Sequence, residues 1–317
     1  MNPWRIDVHH HLLPDFYIEA VGPTRVTEQA PRRSRVALQW SAQGSLDEMD
    51  ANGVAAAVLS VSAPGLWFGD PAATRALARR CNDHQAELVR QHPRRFGMFA
   101  ALPLPDVPGT LAEIAHAGDQ LGADGFCIFS SYGNRYLGEP EFAPVFDALD
   151  ARGAVVFLHP NAVNGTRYLL PGIPVSTLEF PLDTTRAITS LLYGGVFARC
   201  PNIRFIFSHA GGTLPYLATR ISRLELQEDF AEKVPGGALP LLQRQFYDTA
   251  LSANAPQLAA LQAFVPMSQV LYGSDYPFAP GMMARTLQGL ADHAGFAPGE
   301  REAIERGNAL GLFPRLA

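Results

Sequence analysis

Cysteine is scarce: Cys81, Cys127 and Cys200 are the three in 317 residues, odd in number and far apart. That excludes both a disulfide framework and a thiolate zinc site, and it favours a reducing compartment. No uncharged apolar stretch approaches the length that crosses a bilayer, and the start lacks the basic segment and apolar run of a secretory signal. A cytoplasmic protein with no membrane partner is expected. The 25 basic residues are scattered rather than gathered into a stripe, and net charge is −5, which argues against nucleic acid as a partner. There is no internal repeat and no low-complexity run. What is present, 47% hydrophobic and 17% charged residues, is an ordinary globular composition. One domain over 1–317 can bury a sizeable core.

Short runs rich in Val, Ile, Phe and Ala alternate with longer amphipathic segments. The runs predict strands at 5–9, 54–62, 96–103, 123–130, 154–159, 203–209, 245–251 and 269–275. Helices are expected at 44–53, 70–93, 109–122, 141–153, 181–201, 214–233, 255–266 and 282–295. Eight strands alternating with helices predict a (β/α)8 TIM barrel, with a doubly wound sheet as the other solution. The structure-poor stretch 14–44, with Pro14, Pro23, Pro31 and a basic "RRSR" patch, reads as a small N-terminal loop insert over the barrel mouth.

Barrel chemistry sits at the C-terminal ends of the strands. There the sequence places its unusual polar residues: His9 and His11 after strand one, His159 after strand five, His209 after strand six and Asp275 after strand eight. Side chains two apart share a face, so His9 and His11 converge on the axis while His10 points away. Imidazole nitrogens and a carboxylate oxygen are ligands for divalent zinc, manganese or iron, and a catalytic site leaves a position open. His9, His11, His159 and Asp275 form such a set. A lone histidine is more often a hydrogen-bonded core residue; four at one rim are not explained that way.

His10 reads as structural, donating to a carbonyl or an acid, and Asp7 as an orienting acid behind His9. Asp248 and Glu179 are possible supporting acids, with exposed charge as the favoured reading. His84, His92, His116 and His293 read as solvated. Gly211 and Gly212 in "SHAGG" read as a tight turn, not a phosphate cradle.

The H-x-H near the start, "FLHP", "SHAGG", "YGSDYPF" and "GNALGLF" together resemble the amidohydrolase superfamily, in its aminocarboxymuconate-semialdehyde decarboxylase-like branch. The resemblance spans the chain. The segments "DEMDANGVAAAVLSVSAPG", "PRRFGMFAALPLPD" and "NRYLGEPEFAPVFDAL" look most like 6-methylsalicylate decarboxylases. It implies one divalent ion, zinc first and manganese second, held by His9, His11, His159 and Asp275. His209 corresponds to the family's acid/base residue. Strand four, "GFCIFS", has no lysine that could bridge two metals.

Where the branch's namesake carries substrate-gripping arginines before its "EMD", this chain has Ser45 and Asp47. That favours an aromatic monoacid, with Trp67, Phe180 and Phe278 as candidate ring contacts. Arg220 matches a family arginine that reaches into a neighbouring subunit, which implies a homodimer. The expected activity is metal-dependent, non-oxidative decarboxylation of a salicylate-like acid, with Asp275 as proton donor and His209 orienting it or polarising the substrate. Hydrolysis of a lactone, ester or amide at the same site is the rival enzymatic reading. A barrel that binds without turnover is the third, disfavoured by a full acid/base complement beside the ligands.

Overall fold

The computed structural model describes residues 4–28, 38–161, 170–279 and 281–317. Eight parallel strands neighbour one another in chain order: β1 (Arg5–His11), β2 (Val54–Ser60), β3 (Phe96–Ala101), β4 (Gly125–Phe129), β5 (Val155–His159), β6 (Arg204–Phe207), β7 (Phe246–Asp248) and β8 (Val270–Leu271). β1 and the segment after β8 then meet. Val8 N donates to Tyr272 O at 3.0 Å, Asp275 N to His9 O at 2.9 Å and His11 N to Tyr276 O at 2.8 Å. A doubly wound sheet would leave these as separate edges, so the nearly closed ring makes the fold the expected (β/α)8 barrel.

The strands are buried on both faces, which is why they read as continuous apolar runs rather than alternating ones. Inside the barrel, Phe157 stacks on Phe99 with centroids 5.2 Å apart, under His9, whose ring lies 5.0 Å from Phe157. Phe205 and Phe207 stack on each other and face the other way, against Phe197 of the short helix Val196–Arg199. Helices begin where capping residues allow. Asp70 accepts from Ala72 N and Ala73 N ahead of Pro71–Gln91, and Ser41 accepts from Gly44 N ahead of Ala42–Ala51.

Four local differences from the sequence expectation have physical causes. The segment 14–28 is not structure-poor: helices Asp15–Val21 and Pro23–Glu28 form because Tyr17, Val21 and Val26 are buried. Its continuation with Pro31 and "RRSR" lies outside the described residues. The helix expected from 181 begins at Val175, so that Pro181 sits inside Val175–Tyr193, and Thr185 Oγ1 bonds the Pro181 carbonyl. The single helix expected over 214–233 ends at Ser222 and gives way to short turns at Arg223–Leu226 and Glu228–Ala231. The last strand stops at Leu271 because the following residues pair only intermittently with β1 and Asp275 turns into left-handed backbone, φ 62°.

Candidate metal centre

His9, His11, His159 and Asp275 meet at the rim, all buried, with one ligand atom from each lying within 4.8 Å of the others. His9 Nε2 is 3.0 Å from His11 Nε2, and Asp275 Oδ1 is 3.3 Å from the first and 3.1 Å from the second. The outer nitrogens decide what these atoms offer. His9 Nδ1 faces Asp248 Oδ2 at 2.8 Å, His11 Nδ1 faces Ser60 Oγ at 3.0 Å, and His159 Nδ1 faces the Pro160 carbonyl at 2.7 Å. Acceptors at each Nδ1 put the proton there and turn the Nε2 lone pairs inward. Converging lone pairs and a carboxylate repel unless something positive lies among them, so the donor chemistry fits a divalent cation.

The charges of the metal-free cluster say the same. Burial works against a charged His9, but the Asp248 and Asp275 carboxylates overcome it and raise its pKa to about 10. Burial, aided by the charge on His9, pushes His11 down to about 4, and His159 is driven well below the usual histidine value for the same reasons. Burial works to raise Asp275, but the His11, His209 and His9 imidazoles around it hold it well below the usual carboxylate range. The cluster keeps one positive charge where a metal would supply two.

His209 stands beside the set. Its Nε2 is 3.6 Å from Asp275 Oδ2, and its ring lies 4.9 Å from His9 and 5.7 Å from His159. Strict alternation after Phe205 and Phe207 would turn it toward the outer helices. Left-handed backbone at His209, φ 53°, and Ala210, φ 58°, reverses that direction. Such conformations cost on the order of 1–3 kcal/mol each and persist where surroundings enforce them. Here Asp248 Oδ1 accepts from His209 N at 2.9 Å. Gly212 follows at φ 68°, where a Cβ would sit 2.0 Å from the Pro181 carbonyl oxygen, so the expected tight glycine turn is present.

Asp248 therefore corrects the sequence reading. It is not exposed charge but fully buried, and it bonds the His9 ring with one oxygen and the His209 and Ala250 backbones with the other. Its place at the end of β7, on the same rim as the other polar residues, was the available signal. Glu179 is half-buried, 3.9 Å from Arg186, and does not join the cluster.

Asp7 and His10 form a separate, fully buried support. Asp7 accepts from His9 N at 3.0 Å, from Ser274 N at 3.1 Å and from Ser274 Oγ at 2.5 Å, tying β1 to the segment that carries Asp275. His10 Nδ1 lies 3.0 Å from Asp7 Oδ2, and its Nε2 lies 3.1 Å from Ser45 Oγ, which also accepts from Trp40 Nε1. Asp7 thus serves the backbones of β1 rather than the His9 ring. Ser45 is taken up by this network.

Of the candidate substrate contacts, Phe278 packs edge-on to His11 at 5.6 Å and Phe180 to His159 at 6.1 Å. Trp67 is half-buried against the core, and Arg220 is exposed at the end of Leu214–Ser222; neither touches the cluster among the described residues. His84 packs between Phe16 and Trp40, and His116 and His293 bond glutamines; none joins the site.

The sequence profile of the amidohydrolase family matches residues 6–315. The chain belongs to this family. This amidohydrolase is 35% identical over 318 residues to 6-methylsalicylic acid decarboxylase of Penicillium expansum, covering 98% of this chain and 97% of that one. It is 35% identical over 325 residues to decarboxylase macB of Penicillium terrestre, covering 98% and 95%. The crystal structure of an amidohydrolase II superposes with a TM-score of 0.89 at 30% identity, covering 98% of this chain and all of that one.

Proposed function

We propose that this amidohydrolase removes the carboxyl group of a salicylate-like aromatic acid as carbon dioxide, without an oxidant. The observation that carries the reading is the inward set His9, His11, His159 and Asp275 with His209 beside it, on a chain similar over its whole length to aromatic acid decarboxylases. The four residues would hold one divalent ion, zinc first and manganese second, since three imidazoles and one carboxylate suit both. When bound, such an ion supplies a Lewis-acid anchor for the substrate's oxygens.

The chain's own residues do the rest. Phe180 and Phe278 pack against His159 and His11 and are the aromatic surfaces that a substrate ring would meet. The ring carbon bearing the carboxyl group must gain a proton before carbon dioxide leaves. Asp275 is the donor: Oδ1 is turned to His9 and His11, while Oδ2 faces His209 Nε2. Asp275 rests ionised, so it acquires its proton through His209 once the pair closes to hydrogen-bonding distance. General acid help of this kind contributes about 10²- to 10⁴-fold.

No helix among the described residues is long and apolar enough to cross a membrane; the three cysteines are unpaired and buried, which suits a reducing compartment such as the cytoplasm. Homodimerisation, with Arg220 completing a neighbour's site, is supported by the exposure of that arginine and of Tyr216 on the same helix face.

The test is metal analysis of the purified protein and a screen of hydroxybenzoates, 6-methylsalicylate included, for carbon dioxide release. His159→Ala should abolish release while the protein still folds. Oxygen-18 from water entering a product carboxylate, with no gas released, would replace decarboxylation by hydrolysis.

A further inference from the structure

Ser130, immediately after β4, is fully buried and bonds the chain on both sides of Pro160. Its N–H donates to the His159 carbonyl at 2.9 Å, and its Oγ accepts from Asn161 N at 3.0 Å. Between those two bonds lies the Pro160 carbonyl that receives His159 Nδ1–H. The serine hydroxyl can accept from Asn161 only if its own proton points elsewhere, and it points at Asp183 Oδ2. Asp183 comes from the helix Val175–Tyr193, is fully buried, and takes two more hydroxyl donors, Ser131 Oγ at 3.2 Å and Tyr136 Oη at 2.5 Å. A carboxylate desolvated to this degree is costly unless its hydrogen bonds are made, so the arrangement is fixed rather than one of several.

We propose that Ser130, oriented by Asp183, is a positioning residue for His159: it locks the His159–Pro160–Asn161 turn so that Nδ1 keeps its proton and Nε2 keeps its lone pair on the cluster. This rests on the metal reading above. His159 differs from His9 and His11 in having its Nδ1 acceptor on the very next residue. A carbonyl that near in sequence can aim the ring only if the turn itself is held, and Ser130 is what holds it. The conserved quantity is a proton's position, so the consequence is metal affinity rather than overall stability.

The experiment measures the zinc dissociation constant by chelator competition for the full-length wild type, Ser130→Ala, Asp183→Asn and His159→Ala, together with the ¹⁵N imidazole resonances of His159 in the metal-free proteins. Both supporting variants should bind zinc roughly 10- to 100-fold more weakly, the range for loss of an outer partner of a ligand. Metal-free wild type should show His159 protonated at Nδ1 alone, and the variants a mixture of tautomers. If Ser130→Ala does not fold, Asp183→Asn, which preserves shape, decides. Unchanged zinc affinity in a folded variant, or an unchanged His159 tautomer, overturns the inference. If His159→Ala itself binds zinc as tightly as wild type, the metal reading fails instead.

Discussion

Asp248 joins three parts of the site through one carboxylate, and its two oxygens are not equivalent. Oδ1 is saturated by the His209 and Ala250 backbone N–H groups, which leaves Oδ2 for the His9 ring. In Asp248→Asn the amide oxygen is retained by the backbone donors, so the NH2 faces His9 Nδ1. Two donors cannot share that contact, and the His9 proton moves to Nε2, where the lone pair was needed. Zinc affinity should fall by roughly 10- to 100-fold, with little change in the far-ultraviolet circular dichroism. Equal affinity in a chelator competition would show that His9 is not a ligand through Nε2.

The same residues set how the metal-free protein responds to pH. Between pH 4 and 6.5 the unfolded chain protonates His11 and His159 while the folded one, by burial, keeps them neutral. The unfolded state then binds more protons, and this cluster's contribution to stability rises with pH. Between 6.5 and about 10 the folded chain holds a proton on His9 that the unfolded chain has lost, so the contribution falls as pH rises. The melting temperature of metal-free protein should therefore peak near pH 6.5–7, and the alkaline decline should shrink in Asp248→Asn, which removes the main cause of the raised value. A melting temperature climbing from pH 7 to 9 would contradict that assignment.

At the scale of elements, the barrel rim tolerates little change in the segment after β8. A Cβ on Gly273 would lie 2.8 Å from the His9 Cβ and 3.2 Å from the Asp248 Cβ, so glycine is what lets β1 and β7 approach across it. Gly273→Ala should cost about 1–3 kcal/mol, as overpacking does, and weaken metal binding by displacing His9 and Asp248 together. Gly311, inside Asn308–Leu312 where an added Cβ would meet no neighbouring group within 4 Å, is the control: Gly311→Ala should stabilise by about 0.5–1 kcal/mol in thermal melts. The strands and the four-residue set were legible because parallel strands buried on both faces leave long apolar runs, and polar residues ending such runs stand out. His9 and His11 also obey simple alternation. Asp248 did not stand out, since one aspartate in the middle of "QFYDTAL" looks like any surface acid until the His9 ring is seen against it. His209 could be listed by type but not by direction, because alternation is overturned by left-handed backbone that only the fold enforces. Pro181 looked like a helix start, and the burial of Phe180 beside His159 carries the helix past it toward Val175.

At the scale of the whole molecule, two large side chains after β6 stand open to solvent among the described residues. Tyr216 is 88% exposed and Leu226 is 83% exposed, and Tyr216 lies four positions before Arg220 on one helix face. Large apolar side chains left this open are what an interface covers, and a stable homodimer needs roughly 1,000 Å² or more of such burial. Sedimentation of the wild type should give twice the 34.3 kDa chain mass. Tyr216→Asp with Leu226→Asp should give monomers, because each buried charge would lack a partner. If Arg220 completes the neighbouring site, Arg220→Ala should leave the dimer intact and raise KM for the aromatic acid, whereas the monomeric variant should lose activity without losing its metal. A monomer with full activity would remove both the dimer and the arginine from the account, while leaving the His9, His11, His159 and Asp275 centre untouched, since every contact that builds it comes from one chain.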